Sequence, residues 1–337
     1  MLKTARNYLE LCRLHIWGFG VQCVLGALTV VGDGLTAVQF VPLFAVNAIT
    51  IAWSFVHNDY SDYELDCHAP DLARRVLVRG DISRQAALRA AVVLFGASAA
   101  ITFFCWPGLM PIGILTLIAL LIVLYNRYSK MFLGADFVFA TAGSLLCVLG
   151  AVAIIPSHDL RLLPALTWIV FTISFIDHLN FNAVLGGIKD VLSDKKQGCD
   201  TIACRNIEVD VDGRMRISIG FKSMALLGSS LIIALAFLPF TVFSYPSNPW
   251  QIGLLIAFSG LTLFHTYEFV NMGIHDRDVI AQVARKREMA SKSLLVCMLA
   301  IWIGVSWTIF LLVIPMSFFV LFSVVMYGHP FRLPAEY

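Results

Sequence analysis

The dominant pattern along the chain is a succession of long apolar runs separated by shorter polar segments. Each run is close to the roughly 20 residues that an α-helix needs to cross a bilayer. The last run is longer than one span, and we expect Pro315 to kink it or its end to lie along the membrane interface. We therefore predict nine transmembrane helices, at about residues 14–32, 37–57, 86–105, 109–126, 133–155, 162–184, 218–241, 250–271 and 293–326.

The basic residues of the polar segments predict the orientation of these helices. If the N-terminus is cytoplasmic and nine spans alternate, every one of the 24 lysines and arginines except Arg161 and Arg332 lies on the cytoplasmic side. Such an excess of basic residues is typical of cytoplasmic loops. We predict an integral, multi-pass membrane protein with its N-terminus in the cytoplasm. Its single transmembrane domain, residues 1–337, would carry cytoplasmic caps at about 58–84, 186–217 and 273–290.

Composition supports a membrane protein and excludes several other classes. Hydrophobic residues make up 59% of the chain and charged residues only 14%, and the mean hydropathy is +0.81, which no soluble domain with a single core would show. The net charge of +2, without a basic arm, gives no reason to expect nucleic-acid binding. The eight cysteines form no CxxC pair, so we expect free thiols rather than disulfides or a zinc site.

A cluster of acidic residues follows the second apolar run. Asp59, Asp62 and Asp66 have the spacing i, i+3 and i+7, which places their carboxylates on one face of a helix. Carboxylates this close repel one another unless a cation lies between them. Mg²⁺ is the natural candidate, because it prefers hard oxygen ligands and usually binds one or two carboxylates together with substrate phosphates.

A second acidic cluster follows the sixth apolar run. Asp190 and Asp194 are one helical turn apart, and Lys189, Lys195 and Lys196 flank them. The predicted topology places both clusters at cytoplasmic helix ends. Two acidic helix ends with neighbouring cations suggest a site that holds a diphosphate through metal ions.

Two further groups of polar residues lie in or beside the apolar runs. Asp177, His178, Asn180 and Asn182 interrupt the sixth run, and ionisable residues within a span usually face the interior of the bundle and mark a site or a pathway. Interhelical hydrogen bonding by Asn and His is the plainer interpretation. At the end of the fourth run, Tyr125 and Lys130 have the residue types of interface anchors.

Three connecting segments have recognisable patterns of their own. The segment 67–83 carries three arginines and predicts a short helix with a basic side, either as ordinary loop charge or as a lid over an anionic ligand. Alternating residues on both sides of Asp212-Gly213 predict a β-hairpin with a type I′ turn. The segment from His275 to Glu288 is amphipathic and would cap the same face.

These motifs together resemble the UbiA superfamily of intramembrane prenyltransferases. The first resemblance is Asn58-Asp59-x-x-Asp62-x-x-x-Asp66, followed by Arg75 and Arg79-Gly80-Asp81-Ile82-Ser83. The second is Lys189-Asp190-x-x-x-Asp194-x-x-x-Gly198-x-x-Thr201. Arg13 resembles the arginine that opens the family's first span, with Leu14 in place of a proline, and Tyr125 or Tyr128 with Lys130 resembles its Tyr–Lys pair.

The resemblance implies an all-α membrane protein in which nine helices surround a central cavity that opens to the cytoplasmic side. It also implies transfer of an isoprenyl chain from an isoprenyl diphosphate to a lipophilic acceptor, an aromatic compound or a lipid alcohol, with membrane lipids as surroundings. Mg²⁺ would be held by five aspartates, directly or through water: Asp59, Asp62, Asp66, Asp190 and Asp194.

The resemblance assigns roles to other residues as well. Lys130, Arg79 and Lys189 would bind diphosphate oxygens, and Asn58 would orient the first motif and contact phosphate as a substrate-binding residue. Arg13 and Asp177 would face the acceptor, and we count Tyr125 and Asn182 among the substrate-binding residues.

Two other functions are compatible with parts of the sequence. A terpene cyclase of the same family would act on an isoprenyl diphosphate without an acceptor. An ion-coupled transporter would use Asp177, His178 and Glu268 as a relay, but it would leave the five aspartates at two helix ends unexplained.

Overall fold

The computed structural model describes residues 2–13, 15, 21–69, 72–131 and 133–328, and its architecture is the predicted all-α membrane fold. One short β-hairpin accompanies the helices, with strands β1 (Ile207–Val209) and β2 (Met215–Ile217). The α-helices are α1 (Leu2–Leu11), α2 (Gln22–Val31), α3 (Ala37–Asp66), α4 (Arg84–Cys105), α5 (Leu109–Tyr128), α6 (Ala135–Ile154), α7 (Ala165–Leu179), α8 (Gly187–Lys196), α9 (Ile202–Asn206), α10 (Ile219–Thr241), α11 (Pro249–Val270) and α12 (Arg277–Tyr327).

Eight helical segments within the described residues are long and apolar enough to cross a membrane. They are α3, α4, α5, α6, the continuous segment Ala165–Lys196, α10, α11 and α12. The first predicted span, 14–32, lies partly outside the described residues, and its described part is the shorter apolar helix α2 with the 3₁₀ turn Gly32–Gly34. The chain is therefore an integral membrane protein that crosses the bilayer several times.

Polar residues at the helix starts explain where several spans begin. Thr36 and Gln39 form a capping box before α3, in which each side chain bonds to the backbone N–H of the other residue. Ser83 caps α4, and Ser218 caps α10. These side chains satisfy backbone donors that the helix itself leaves unpaired.

The chain forms two compact units: unit 1 comprises residues 1–127, 145–163 and 309–337, and unit 2 comprises 128–144 and 164–308. In unit 1, α2 and α6 pack backbone against backbone. A Cβ atom added to Gly26 would lie 1.8 Å from the carbonyl oxygen of Cys147, and one added to Gly150 would lie 1.9 Å from that of Cys23. Only glycine permits this approach.

Unit 2 has an apolar core that holds the second acidic helix in place. Ile188 and Val191 of α8 are fully buried against Phe221 of α10, Phe269 of α11 and Ile280 of α12. The first residues of the hairpin strands also belong to this core, since Ile207 and Met215 are buried. α8 is therefore fixed along its apolar face, which leaves its acidic face for other contacts.

A π-helix, Asn180–Gly186, connects α7 to α8. π-helices are rare and often occur at functional sites. Here it directly precedes the helix that carries Asp190 and Asp194, at the place where the sequence shows Gly186-Gly187.

The hairpin was predicted correctly, but its turn type was not. A type I′ turn requires positive φ at both central residues, and Gly213 is the hairpin residue with positive φ (+76°). The backbone of Asp210 donates to the carbonyl of Arg214 at 3.0 Å and accepts from Gly213 at 3.1 Å. This geometry is a three-residue loop, and the Asp210 carboxylate stabilises it by accepting from the backbone N–H of Arg214 at 2.8 Å.

The last helix breaks at a glycine that the sequence pattern did not indicate. The non-helical residue is Gly304 (φ 76°, ψ 164°), and Pro315 lies inside the helix. Glycine has no Cβ and reaches this backbone conformation without strain. The end of this helix along the membrane interface stays a prediction. The basic segment 67–83 forms a series of turns in its described residues rather than a short helix.

Candidate active site

The first acidic cluster lies on the final turns of α3 in unit 1. Asp59 and Asp66 are buried, with 8% and 7% of their surface exposed, and Asp62 is half-buried. The Asn58 amide donates to the Asp62 carboxylate at 3.0 Å, one turn along the helix. The predicted common face of the three aspartates is therefore present, and Asn58 is placed to orient it.

Two arginines neutralise the buried carboxylates of this cluster. Arg13 donates to Asp59 Oδ1 at 2.9 Å, and its guanidinium lies 4.3 Å from the ring centre of Phe55. Arg75 Nη1 lies 2.5 Å from Asp66 Oδ2 and 3.6 Å from Asp59 Oδ1, so one guanidinium bridges two carboxylates. The sequence prediction assigned a role to Arg13 but none to Arg75, although Arg75 is in the first signature.

Arg79 makes its described contacts elsewhere in unit 1. It binds both carboxylate oxygens of Glu10, at 3.0 and 2.9 Å, and Asp81 at 2.5 Å. The hydrogen bond to Glu10 is the main cause that raises the pKa of Arg79. The hydrogen bond from Arg79 lowers the pKa of Asp81. These contacts tie α1 to the segment after the first motif, and the diphosphate role of Arg79 remains a prediction.

The end of α5 is attached to the first acidic helix by Asn126. Its amide donates to the carbonyl of Ser54 at 3.3 Å and lies 2.9 Å from His57 Nδ1. Tyr125 is half-buried beside it, whereas Tyr128 is 41% exposed. Of the two tyrosines that the sequence left open, Tyr125 is the less exposed.

The second acidic cluster lies on α8 in unit 2, where a cation meets each aspartate. Asp194 is 4% exposed and its Oδ1 accepts from Lys130 Nζ. Asp190 is half-buried, with its Oδ1 3.0 Å from Arg277 Nη2 and its Oδ2 3.9 Å from Lys189 Nζ. The structure thus brings four predicted site residues close together in unit 2: Lys130, Lys189, Asp190 and Asp194. Their common role in substrate binding stays a prediction, and Arg277 is a further cation that the sequence did not indicate.

The polar residues predicted within the sixth span have partners in unit 2. Asn182 donates to Asp136 of α6 at 2.6 Å. Asp177 lies between Arg287 at 2.5 Å and Lys292 at 3.1 Å, both from α12, and the Arg287 side chain is only 2% exposed. Asp177 is thus part of a buried ionic cluster, and its predicted role toward an acceptor remains a prediction.

The donor chemistry of the two clusters fits a hard divalent cation. Among the described residues, no group of three His, Cys, Asp or Glu side chains is placed to hold a metal ion by itself. Mg²⁺ does not require such a cage, because it is usually held by one or two carboxylates with water and substrate phosphates. Asp59 and Asp66, which already share the single guanidinium of Arg75, form one pair of oxygen donors of this kind.

Comparison with known proteins places the chain in a family. Residues 20–291 match the model of the UbiA prenyltransferase family, which covers most of the sequence. The protein therefore belongs to the UbiA prenyltransferase family, as the motifs predicted. Among curated proteins, none matches the sequence significantly.

Solved structures share the fold at low sequence identity. A digeranylgeranylglyceryl phosphate synthase structure has a TM-score of 0.63 at 18% identity and covers 89% of this chain and 99% of its own. An apo UbiA homologue from Aeropyrum pernix K1 has a TM-score of 0.62 at 14% identity, with 84% and 94% covered. A UbiA homologue from Archaeoglobus fulgidus bound to DMAPP and Mg²⁺ has a TM-score of 0.58 at 15% identity, with 86% and 99% covered.

Proposed function

We propose that the protein transfers an isoprenyl chain from an isoprenyl diphosphate to a lipophilic acceptor, an aromatic compound or a lipid alcohol, within the membrane. The observation that carries this proposal is that two acidic helix ends, on α3 and α8, each present buried or half-buried aspartates already bound by arginine or lysine. Family membership supports the reaction class. The complex of the Archaeoglobus fulgidus homologue with DMAPP and Mg²⁺ supports the donor and the metal.

The five aspartates are the residues that would hold Mg²⁺. When bound, the metal would neutralise the negative charge that grows on the diphosphate as the carbon–oxygen bond breaks. The proposed ligands on α3 are Asp59, Asp62 and Asp66, and those on α8 are Asp190 and Asp194.

The cations of the two clusters would bind the diphosphate itself. Arg13 and Arg75 beside Asp59, and Lys130 beside Asp194, are within contact distance of proposed metal ligands. Hydrogen bonds between ionised partners are among the strongest that proteins make, so these groups suit a polyanionic leaving group. Lys189 and Arg79 keep their predicted role as further diphosphate contacts, and Arg13 also keeps its role toward the acceptor.

The remaining predicted residues would shape the site. Asn58 would hold Asp62 in place through its 3.0 Å hydrogen bond. Asp177 and Tyr125 keep their predicted place among the substrate-binding residues, as does Asn182. Apolar surroundings would shield the allylic cation from water until the acceptor attacks it.

The test is release of pyrophosphate by the purified protein in lipid nanodiscs. We expect release from an isoprenyl diphosphate to require both Mg²⁺ and an acceptor, and to be lost when EDTA is added or Asp59 is replaced by alanine. Release without any acceptor, together with a hydrocarbon or terpene alcohol product, would establish a cyclase instead. If no isoprenyl diphosphate of any chain length gives pyrophosphate, both the prenyltransferase and the cyclase are contradicted, and a transporter is favoured.

A further inference from the structure

Arg277 is the first residue of α12 and forms an ion pair with a proposed metal ligand. Its Nη2 lies 3.0 Å from Asp190 Oδ1, and its side chain is 16% exposed. A cation in the first turn of a helix lies at the positive end of the helix dipole, where it is disfavoured. The contact with Asp190 offsets this cost, so the position of Arg277 is best explained by a negative partner.

The backbone before Arg277 is held from two sides in unit 2. His275 donates its backbone N–H to the carbonyl of Gly213 in the hairpin loop at 2.8 Å. Its Nε2 lies 3.2 Å from the carbonyl oxygens of both Ile188 and Lys189, at the start of α8. The segment that presents Arg277 is therefore anchored to the same helix that carries Asp190.

The start of α12 is fixed as well. Asp276 caps the helix by accepting from the backbone N–H groups of Asp278 at 2.9 Å and Val279 at 3.1 Å. The hairpin, α8 and the Asp276 cap together hold the Arg277 guanidinium beside Asp190. Such preorganisation is what a binding residue needs, since less conformational freedom is lost on binding.

We infer that Arg277 is a diphosphate-binding residue that exchanges partners. Without metal, it is the counter-ion of Asp190; when a divalent cation binds the Asp190 carboxylate, the guanidinium is released to donate to diphosphate oxygens. This inference rests on the proposed function. Its consequence is that Arg277 acts in opposite directions on two ligands, because it competes with the metal for Asp190 and attracts the polyanion.

The experiment measures two affinities of the full-length protein in nanodiscs: that for Mn²⁺ alone, and that for inorganic pyrophosphate at saturating Mn²⁺. For Arg277→Gln we expect Mn²⁺ to bind about threefold more tightly, because a competing cation is gone. We expect pyrophosphate to bind at least about tenfold more weakly, because a charge-assisted hydrogen bond is lost.

The matched control is Arg205→Gln. Arg205 pairs with Asp200 at 2.6 Å in the same unit, but that pair is exposed and includes no proposed metal ligand. The control makes the same change of charge, and we expect it to leave both affinities at the wild-type values.

The outcomes separate this inference from the proposed function. Suppose that the wild-type protein binds both probes. If Arg277→Gln then loses affinity for both probes, or for neither, the exchange is overturned and the proposed function stands. A wild-type protein that binds neither probe would overturn the proposed function and the exchange with it. If Arg277→Gln does not fold, Arg277→Lys decides: weaker pyrophosphate binding at unchanged Mn²⁺ affinity supports the exchange, and unchanged pyrophosphate affinity overturns it.

Discussion

At the scale of single residues, buried carboxylates in the described chain are matched by specific cations. Asp59 contacts Arg13, Asp66 contacts Arg75, and Asp194 contacts Lys130. An uncompensated charge in a low-dielectric interior is costly, whereas a paired and hydrogen-bonded charge is tolerated. These pairs explain how the protein can keep several aspartates beneath its surface.

The pair of Asp177 and Arg287 should be the most sensitive to loss of one partner. Asp177→Leu alone leaves the buried Arg287 without a carboxylate, and we expect it to lower the free energy of unfolding by about 3–5 kcal/mol. Arg287→Met should cost less, because Asp177 keeps Lys292 at 3.1 Å. The double variant should be closer to wild type than Asp177→Leu, because the cation that it leaves without Asp177 is Lys292, whose side chain is 17% exposed. Thermal unfolding of the three variants in detergent measures these differences in stability.

The control for that experiment is Arg161→Gln. Arg161 and Asp159 form an exposed pair at 2.7 Å, for which we expect no measurable change in unfolding temperature. The double variant also tests the predicted acceptor role of Asp177. Recovered stability with normal turnover would assign Asp177 a structural role, whereas recovered stability without turnover would favour contact with substrate.

Sequence reasoning identified the acidic residues better than their partners. The aspartates have a helical spacing that can be recognised from a few neighbouring positions. Arg277 and Arg287 reach Asp190 and Asp177 across 87 and 110 positions of the chain, so no local pattern connects them. Arg75 is closer, nine positions after Asp66, but it was one of several arginines in a basic loop.

At the scale of secondary-structure elements, glycines decide how closely helices pack. The α2–α6 crossing brings Gly26 against Cys147 and Gly150 against Cys23 at distances that exclude any side chain. Gly228 of α10 gives similar room to the Asn180 amide of the π-helix, since a Cβ there would lie 2.5 Å from Asn180 Nδ2. Small residues at such positions are the usual means of close helix contact in membranes.

Gly150→Ala should therefore disrupt unit 1. A methyl group 1.9 Å from a backbone oxygen cannot be accommodated by side-chain movement, and we expect a loss of about 1–3 kcal/mol or more in the free energy of unfolding. Gly113→Ala in α5 is the matched control, because nothing lies within 4 Å of its added Cβ. That change should stabilise the helix by about 0.5–1 kcal/mol. Equal unfolding temperatures for the two variants would contradict the crossing.

The pattern of hydrophobic and polar residues predicted the secondary-structure elements well where neighbouring residues determine them. The eight candidate spans follow the apolar runs, and the hairpin lies where the alternation around Asp212-Gly213 indicated. The π-helix, the break at Gly304 and the three-residue hairpin loop were not predicted. Each depends on packing or on one hydrogen bond, such as that of the Asp210 carboxylate, which the pattern of apolar residues does not encode.

At the scale of the whole molecule, membership of the UbiA family and the apolar helices establish a multi-pass membrane protein. The orientation remains a prediction from the distribution of basic residues. Because only Arg161 and Arg332 fall on the predicted outer side, reporter fusions at Asp33, Pro156 and Tyr337 should all show a non-cytoplasmic location. A cytoplasmic signal at any one of these positions would contradict the nine-span topology.

We predict that the two acidic motifs act on the same diphosphate. If they do, the losses of turnover caused by substitutions in the two motifs should not add. Asp59→Ala and Asp190→Ala should each nearly abolish Mg²⁺-dependent turnover, and the double variant should be scarcely worse than either single one, because residues that act as a unit are not additive. Turnover of all three variants, measured as pyrophosphate release, is the test. Near-normal activity of Asp190→Ala beside an inactive Asp59→Ala would show that the motifs do not act together.

For the stability of these variants, the structure leads to the opposite expectation from the sequence. The sequence predicts that removing a carboxylate from a crowded acidic cluster relieves repulsion and leaves the metal-free protein no less stable. The structure shows Asp59 bound to Arg13 at 2.9 Å and within 3.6 Å of Arg75, so Asp59→Ala leaves two arginines beside a smaller negative charge. We therefore expect a lower unfolding temperature for Asp59→Ala without metal, and a smaller loss for Asp190→Ala, whose carboxylate is more exposed. An unfolding temperature of Asp59→Ala at or above the wild-type value would show that repulsion outweighs these ion pairs.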